Sequence, residues 1–158
     1  MVKLYAVTDS GLEEIDSSIN ILSPLPKTYT SGGAGLYGTM EDYHRFARML
    51  LQLGELDNRR VLKPETVLQM STPQLSPTLL DPANGVNWGL GIEVVTAQSG
   101  YRNPLPKGAY GWSGAFGTHF WIDPKHKITA VYMSNLTTAG GAGAITAREF
   151  ESDVYSAL

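Results

Sequence analysis

The stretch from Tyr110 to Ser134 does most to limit the fold. It reads YGWSGAFGTHFWIDPKHKITAVYMS: an apolar and aromatic run, a turn, and a second apolar run. Asp123-Pro124-Lys125-His126 carries turn chemistry between the two. Tyr110 to Ile122 is either one long strand or two strands joined by a bend near Gly117, where the lack of a Cβ permits a sharp change of direction. Ile128 to Ser134 is the return strand. Strands joined by so short a link pair antiparallel, because a parallel pair needs a long crossover. An alternating α/β order is therefore disfavoured.

The flanking sequence supplies helices. Thr39 is placed to N-cap, with Asp42 three residues on as a variant of the capping box. Met40, Tyr43, Phe46, Ala47, Leu50 and Leu51 then recur at spacings of three and four, and Gly54 stops the helix. Asp57-Asn58 is a turn. Pro64 opens a second helix to about Met70, with Val67, Leu68 and Met70 apolar. Ser71 to Asn87 reads as a loop with three prolines, and Trp88 to Val95 as a strand. A last helix runs from about Ala144 to Leu158, with Ala147, Phe150, Val154, Ala157 and Leu158 as its stripe. Near the start, Lys3 to Thr8 has strand composition, and Ser10 to Thr30 reads as irregular.

The fold class is therefore α+β. It divides into 1–38 (irregular lead-in and Gly-rich turn), 39–87 (helical segment and Pro-rich loop) and 88–158 (antiparallel strands and helix). Together they make one domain, which the family resemblance described below implies is incomplete.

Composition removes whole classes of function. The chain has 158 residues, a net charge of −3, and 12 Lys and Arg that are scattered rather than clustered. No basic stripe exists for nucleic acid. No apolar run approaches the roughly 18 to 20 residues of a membrane span. With no cysteine there is no disulfide, thiolate nucleophile or Cys-based metal site. Met1 to Ser10 has no signal-peptide pattern, so a cytoplasmic address is expected if the chain is complete.

Three stretches, in order, resemble one family. Ser31-Gly-Gly-Ala-Gly-Leu-Tyr-Gly-Thr-Met-Glu-Asp-Tyr is similar to the Gly-rich turn and helix of class C β-lactamases and family VIII carboxylesterases. Gly54-Glu-Leu-Asp and Val61-Leu-Lys-Pro-Glu-Thr-Val resemble the turn and helix that follow. Tyr110-Gly-Trp-Ser-Gly-Ala-Phe-Gly-Thr-His-Phe-Trp-Ile-Asp-Pro resembles the strand bearing the third active-site motif. The resemblance covers about residues 30 to 158. It implies the C-terminal part of the β-lactamase/transpeptidase-like fold, an antiparallel sheet with flanking helices.

It also implies a chemistry. In that family the Ser of a Ser-x-x-Lys motif attacks, and the Lys, with a Tyr from Tyr-x-Asn, handles the proton. The third-motif triplet here is Trp112-Ser113-Gly114. Trp in the first place leans toward the esterases, since the cation that would meet a β-lactam carboxylate is lacking. By the resemblance, the Ala115 N–H is one oxyanion donor. Trp112, Ser113, Gly114 and Tyr110 form the substrate wall, Trp112 and Tyr110 being the candidates for the acyl pocket. No Ser in the chain has Lys three residues on. Tyr101-Arg102-Asn103 is a literal Tyr-x-Asn, but it stands far from the family's position and reads as loop.

The expectation is thus a C-terminal fragment of a serine hydrolase, esterase before β-lactamase, inactive alone and needing no cofactor or metal. Its partners are a small ester or amide and an N-terminal segment, or a second copy joined through a bare strand edge beside residues 128–134. That edge also supports an alternative, a non-catalytic binding or assembly module. Gly33-Ala-Gly35-Leu-Tyr-Gly38 is a literal Gly-x-Gly-x-x-Gly, so nucleotide binding is a further alternative. LPKTYT before it is a poor core strand, and no βαβ unit follows.

The three histidines lack metal spacing. His44 is expected on the solvated side of the first helix and His126 in a turn. His119 faces the cleft or points away from it. No Ser-His-Asp set is assigned, because Gly111-Trp-Ser-Gly-Ala is not a nucleophile elbow. Trp88, Tyr110, Phe116, Phe120 and Trp121 are expected mostly in the core.

Overall fold

The structure, a computed structural model, describes residues 3–15, 36, 38–97, 104–141 and 144–158. Tyr101-Arg102-Asn103 and all of the Gly-rich turn except Leu36 and Gly38 lie outside the described residues.

Five antiparallel strands form the main sheet: β5 (Val86–Trp88), β6 (Glu93–Val95), β7 (Tyr110–Ser113), β8 (His119–Asp123) and β9 (Ile128–Tyr132), in that order. The long aromatic run is two strands, not one. Tyr110 pairs with Ile122 and Ser113 with His119 across a tight turn. Gly117 takes φ +79° there and donates to the Gly114 carbonyl. Trp88 to Val95 also splits, with β5 and β6 pairing Val86 to Val95 as a hairpin. The β5 strand begins at Val86, two residues inside the segment read as loop.

Each face of the sheet carries a helix. Along β7 and β8, side chains alternate between faces. Tyr110, Phe120 and Ile122 pack with Ala47, Met49 and Leu50 of α1 (Met40–Leu51). Trp121 and Ala130 pack with Phe150 and Val154 of α3 (Ile145–Ser156). Trp121 is fully buried and meets Phe150 edge-on, ring centres 5.3 Å apart.

The caps explain the bounds of α1. Asp42 N–H donates to Thr39 Oγ1 at 3.1 Å, and Thr39 N–H donates to Asp42 Oδ2 at 3.3 Å, a reciprocal capping box. At the other end Gly54, at φ +89°, donates to the Met49 carbonyl. A Cβ at Gly54 would lie 2.3 Å from the Leu62 carbonyl oxygen, so this stop requires glycine twice over. Asp57 and Asn58 both have positive φ and close the hairpin of β3 (Glu55–Leu56) and β4 (Arg59–Arg60). The second helix, α2, is Pro64–Met70.

The structure corrects four expectations. Residues 11–15 are not irregular: β2 (Gly11–Ile15) pairs with β1 (Leu4–Thr8). Polar Glu13 and Glu14 hid this strand because the hairpin is largely solvated on both faces. The apolar stripe of α1 is only partly buried, with Met40, Tyr43 and Phe46 exposed. His44 is not on the solvated side, for its Nε2 bonds Thr129 Oγ1 of β9 at 2.9 Å. At the end of α3, Ala157 and Leu158 are exposed, and the stripe holds Glu151 instead, buried.

The edge beyond β9 is partly covered. Tyr5 N–H donates to the Asn135 carbonyl, and Thr137 N–H donates to the Tyr5 carbonyl, so β1 pairs with the chain just after β9. Among the described residues no strand pairs with the outer edge of β9 itself. No helix among them is long and apolar enough to cross a membrane.

Candidate functional site

The turn end of the β7–β8 hairpin makes a cavity of about 140 Å³. Trp112, Ser113 and Gly114 line it from β7 and its turn, and Thr118, His119 and Phe120 from the returning strand. Tyr43 of α1 and Met133 close the sides. Three of the residues named from sequence are thus brought together. Trp112 stacks edge-on against Trp88, ring centres 4.4 Å apart, which fixes its indole as a rigid wall.

The other two named residues lie elsewhere. Tyr110 sits in the core under α1, 3% exposed, with its hydroxyl donating to the Leu50 carbonyl at 3.3 Å. Burial pushes its phenol up to about 12. It is one strand repeat too deep to reach the cavity. Ala115 is exposed on the turn beyond Gly114, beside the cavity rather than in its lining. The small residue at 114 is required by the turn: a Cβ there would lie 2.2 Å from Thr118 Oγ1, while Gly114 N–H donates to the Thr118 carbonyl at 2.7 Å.

Ser113 does not stand alone. Its Oγ is 2.7 Å from His119 Nδ1, and His119 Nε2 is 2.8 Å from Glu151 Oε1. Ser113 is 7% exposed, His119 3% and Glu151 1%. The three come from β7, β8 and α3. Ser113 and His119 are a directly opposed pair in the hairpin, where side chains are closest. His119 also lies against Trp121, ring centres 5.4 Å apart, so the imidazole is held in orientation. A Glu151 carboxylate accepts only, which places the hydrogen on Nε2; in the neutral ring Nδ1 is then the acceptor for the Ser113 hydroxyl.

Sequence reasoning assigned no partner to Ser113. One signal pointed to it: Glu151 is four residues after Ala147 and four before Tyr155, so a carboxylate occupies the buried face of a helix. A charge there needs a partner.

A larger concavity of about 400 Å³ lies beside Arg48, Gln52, Glu55, Asp57 and Asn58. Its lining residues are exposed, except half-buried Glu55. Among the described residues no group of three or more His, Cys, Asp or Glu is placed to hold a metal.

Comparison with known proteins agrees with the sheet and its helices. The Beta-lactamase family profile matches residues 6–151. Protein Rv1367c of Mycobacterium tuberculosis is 35% identical over 118 residues, covering 68% of this chain and 29% of that protein. Acyltransferase calJ of Penicillium decumbens is 30% identical over 127 residues, covering 69% of this chain and 29% of that protein. The solved structure of EstCE1, described as a hydrolase with promiscuous acyltransferase activity, superposes with a TM-score of 0.78 at 22% identity, over 97% of this chain and 43% of that one. The chain thus spans less than a third of the length of the two curated relatives. The α+β sheet, its flanking helices and the match across nearly its whole length show that the chain belongs to the Beta-lactamase family, a group of β-lactamase-like hydrolases and acyltransferases.

Proposed function

We propose that the full-length gene product is a serine esterase working through an acyl-enzyme, with Trp112, Ser113 and Gly114 as one wall of its acyl site. The observation that carries this reading is the wall itself. Trp112, with Tyr43, Phe120 and Met133, gives the cavity a broad apolar wall, and no lysine or arginine is among its lining residues. Such a wall suits a short acyl chain and lacks the lysine or arginine that would pair with the carboxylate of a β-lactam. The Ala115 N–H, on the turn beside that wall, is the group to meet the oxyanion. The attacking serine of the Ser-x-x-Lys type is not among these 158 residues, so this chain by itself supplies wall and donor.

Steady-state assays of the full-length product test it. Hydrolysis of p-nitrophenyl butyrate should exceed that of nitrocefin, and Trp112→Ala should lower kcat/KM for the ester about tenfold. A preference for nitrocefin would overturn the reading.

The outer edge of β9 favours a second reading, a module that pairs by strand addition with a second copy or another segment. Light scattering over a range of concentrations checks it. A dimer that grows with concentration supports the reading, and a strict monomer removes self-association.

A further inference from the structure

Strand alternation divides the β7–β8 hairpin between two faces. Trp112 and Phe120, an opposed pair, point to the α1 face and wall the cavity. Ser113 and His119, the next opposed pair, point to the α3 face with Trp121, so their side chains lie buried behind that wall. The core on the α3 face is built from Trp121, Phe150 and Val154. Burying a hydroxyl, an imidazole and a carboxylate beside them costs stability that apolar side chains of similar size would not. Stability therefore does not account for the line from Ser113 to Glu151, and its place in the fold offers another account.

Ser113 and His119 are the last paired residues before the turn of residues 114–118. Within that turn Gly114 N–H donates to the Thr118 carbonyl at 2.7 Å, and Gly117 N–H donates to the Gly114 carbonyl at 3.0 Å. Phe116, at the tip, bridges to Gly140. Ser113 Oγ and His119 Nδ1, 2.7 Å apart, close the base of the turn from the α3 side. Glu151 Oε1, 2.8 Å from His119 Nε2, carries the tie on to α3. Ala115 lies between the fixed base and the fixed tip.

We propose that Ser113, His119 and Glu151 are positioning residues for the acyl site: they fasten the base of the 114–118 turn to α3 and so aim the Ala115 N–H at the developing oxyanion. The role of Ala115 in this proposal rests on the acyl-site reading. None of the three side chains touches substrate; each acts through the backbone of the turn. Hydrogen bonds suit the task because they weaken steeply when bent or stretched, whereas apolar contact has no preferred direction. Aim matters because an oxyanion donor works only when preorganised, and loss of one costs about 10²- to 10³-fold in kcat. A misplacement of about 1 Å costs about 100-fold.

The test compares the full-length product with a His119→Phe/Glu151→Leu variant, in which apolar side chains of similar size replace two members of the line. The expected result is a kcat for p-nitrophenyl butyrate lowered about 10- to 100-fold at a KM changed less than about twofold. The urea midpoint should stay level or rise, because apolar replacements of a buried pair are commonly neutral or stabilising. A merely structural role would do the reverse, lowering the midpoint and sparing kcat. Glu151→Gln, whose amide oxygen still accepts from Nε2, should recover most of kcat, and Glu151→Met should not. Should the paired variant fail to fold, Glu151→Met decides. Hydrogen exchange reads the turn without turnover: the Gly114 and Gly117 amides should exchange about tenfold faster in the variant while the β8–β9 ladder stays protected. Undiminished kcat in the folded variant overturns the proposal. So does a loss carried by KM alone, a Glu151→Gln as slow as Glu151→Met, or unchanged exchange at Gly114 and Gly117. A wild type that prefers nitrocefin overturns the esterase reading instead, and kcat for nitrocefin then serves in the same comparison. If neither compound is turned over, the exchange of the two glycine amides decides.

Discussion

The Tyr155 hydroxyl donates to Asp123 Oδ2 at 2.5 Å and so ties the last turn of α3 to the turn between β8 and β9. Asp123 is fully buried. It accepts four groups in all: Tyr155, the His126 ring nitrogen, and the N–H groups of Lys125 and His126.

Burial pushes the Asp123 carboxyl up, but the hydrogen bonds from Tyr155 and His126 outweigh it and hold it below the ordinary carboxylate range. A folded-state value below the unfolded one gives stability that is present above about pH 4 and lost as pH falls through the folded value. Asp123→Asn should therefore destabilise the chain by about 2 kcal/mol at neutral pH and flatten the loss below about pH 4. Urea midpoints across that range measure both effects.

Tyr110 gives the opposite slope. Its phenol is raised by burial to about 12 in the folded chain, against about 10 unfolded. The folded state keeps a proton that the unfolded chain releases, so stability is intact below about pH 10 and falls as pH approaches about 12. Tyr110→Phe should lower the urea midpoint at neutral pH through the lost bond to Leu50, yet reduce its decline at alkaline pH.

The capping box of α1 is a local test. Thr39→Ala removes the acceptor for Asp42 N–H and should cost about 1 kcal/mol, read as a fall in the urea midpoint at unchanged slope. Thr39→Ser should retain most of it.

Gly114 tests the turn that shapes the cavity. A side chain at this position meets Thr118 Oγ1 at 2.2 Å. Gly114→Val should cost about 1–3 kcal/mol. Thr118→Ala should recover part of that cost, so the two changes would be non-additive in a double-mutant cycle.

Helices with local punctuation were legible in the sequence. Thr39 with Asp42, Gly54, Asp57-Asn58 and Pro64 each act within a few residues of themselves, so caps and turns appear where their chemistry stands. Strand bounds were less legible. The run WGLGIEVV has no polar break and resembles one strand; Gly91, with φ +76°, reverses the chain between β5 and β6, a turn that the glycines signal only weakly inside an apolar run. The β2 strand was missed because its residues are polar and its pairing with β1 is mainly a matter of backbone.

The site divides along the same line. Trp112, Ser113 and Gly114 were identified by their order in a motif, and a motif is a local object. Tyr110 differs from Trp112 by two residues and shares its face of β7, yet only depth along the strand separates core from cavity, and depth is set by α1. His119 and Glu151 are 32 residues apart, and no spacing rule joins them. The sequence alone carried the motifs by which the chain resembles its family, the antiparallel return from Tyr110 to Ser134 and the helix caps, because each of these is a matter of short-range chemistry and pattern. The packing of α3 against the sheet alone decided that Ser113 has a histidine behind it and a carboxylate behind that, because burial of a charge is a property of the assembled faces.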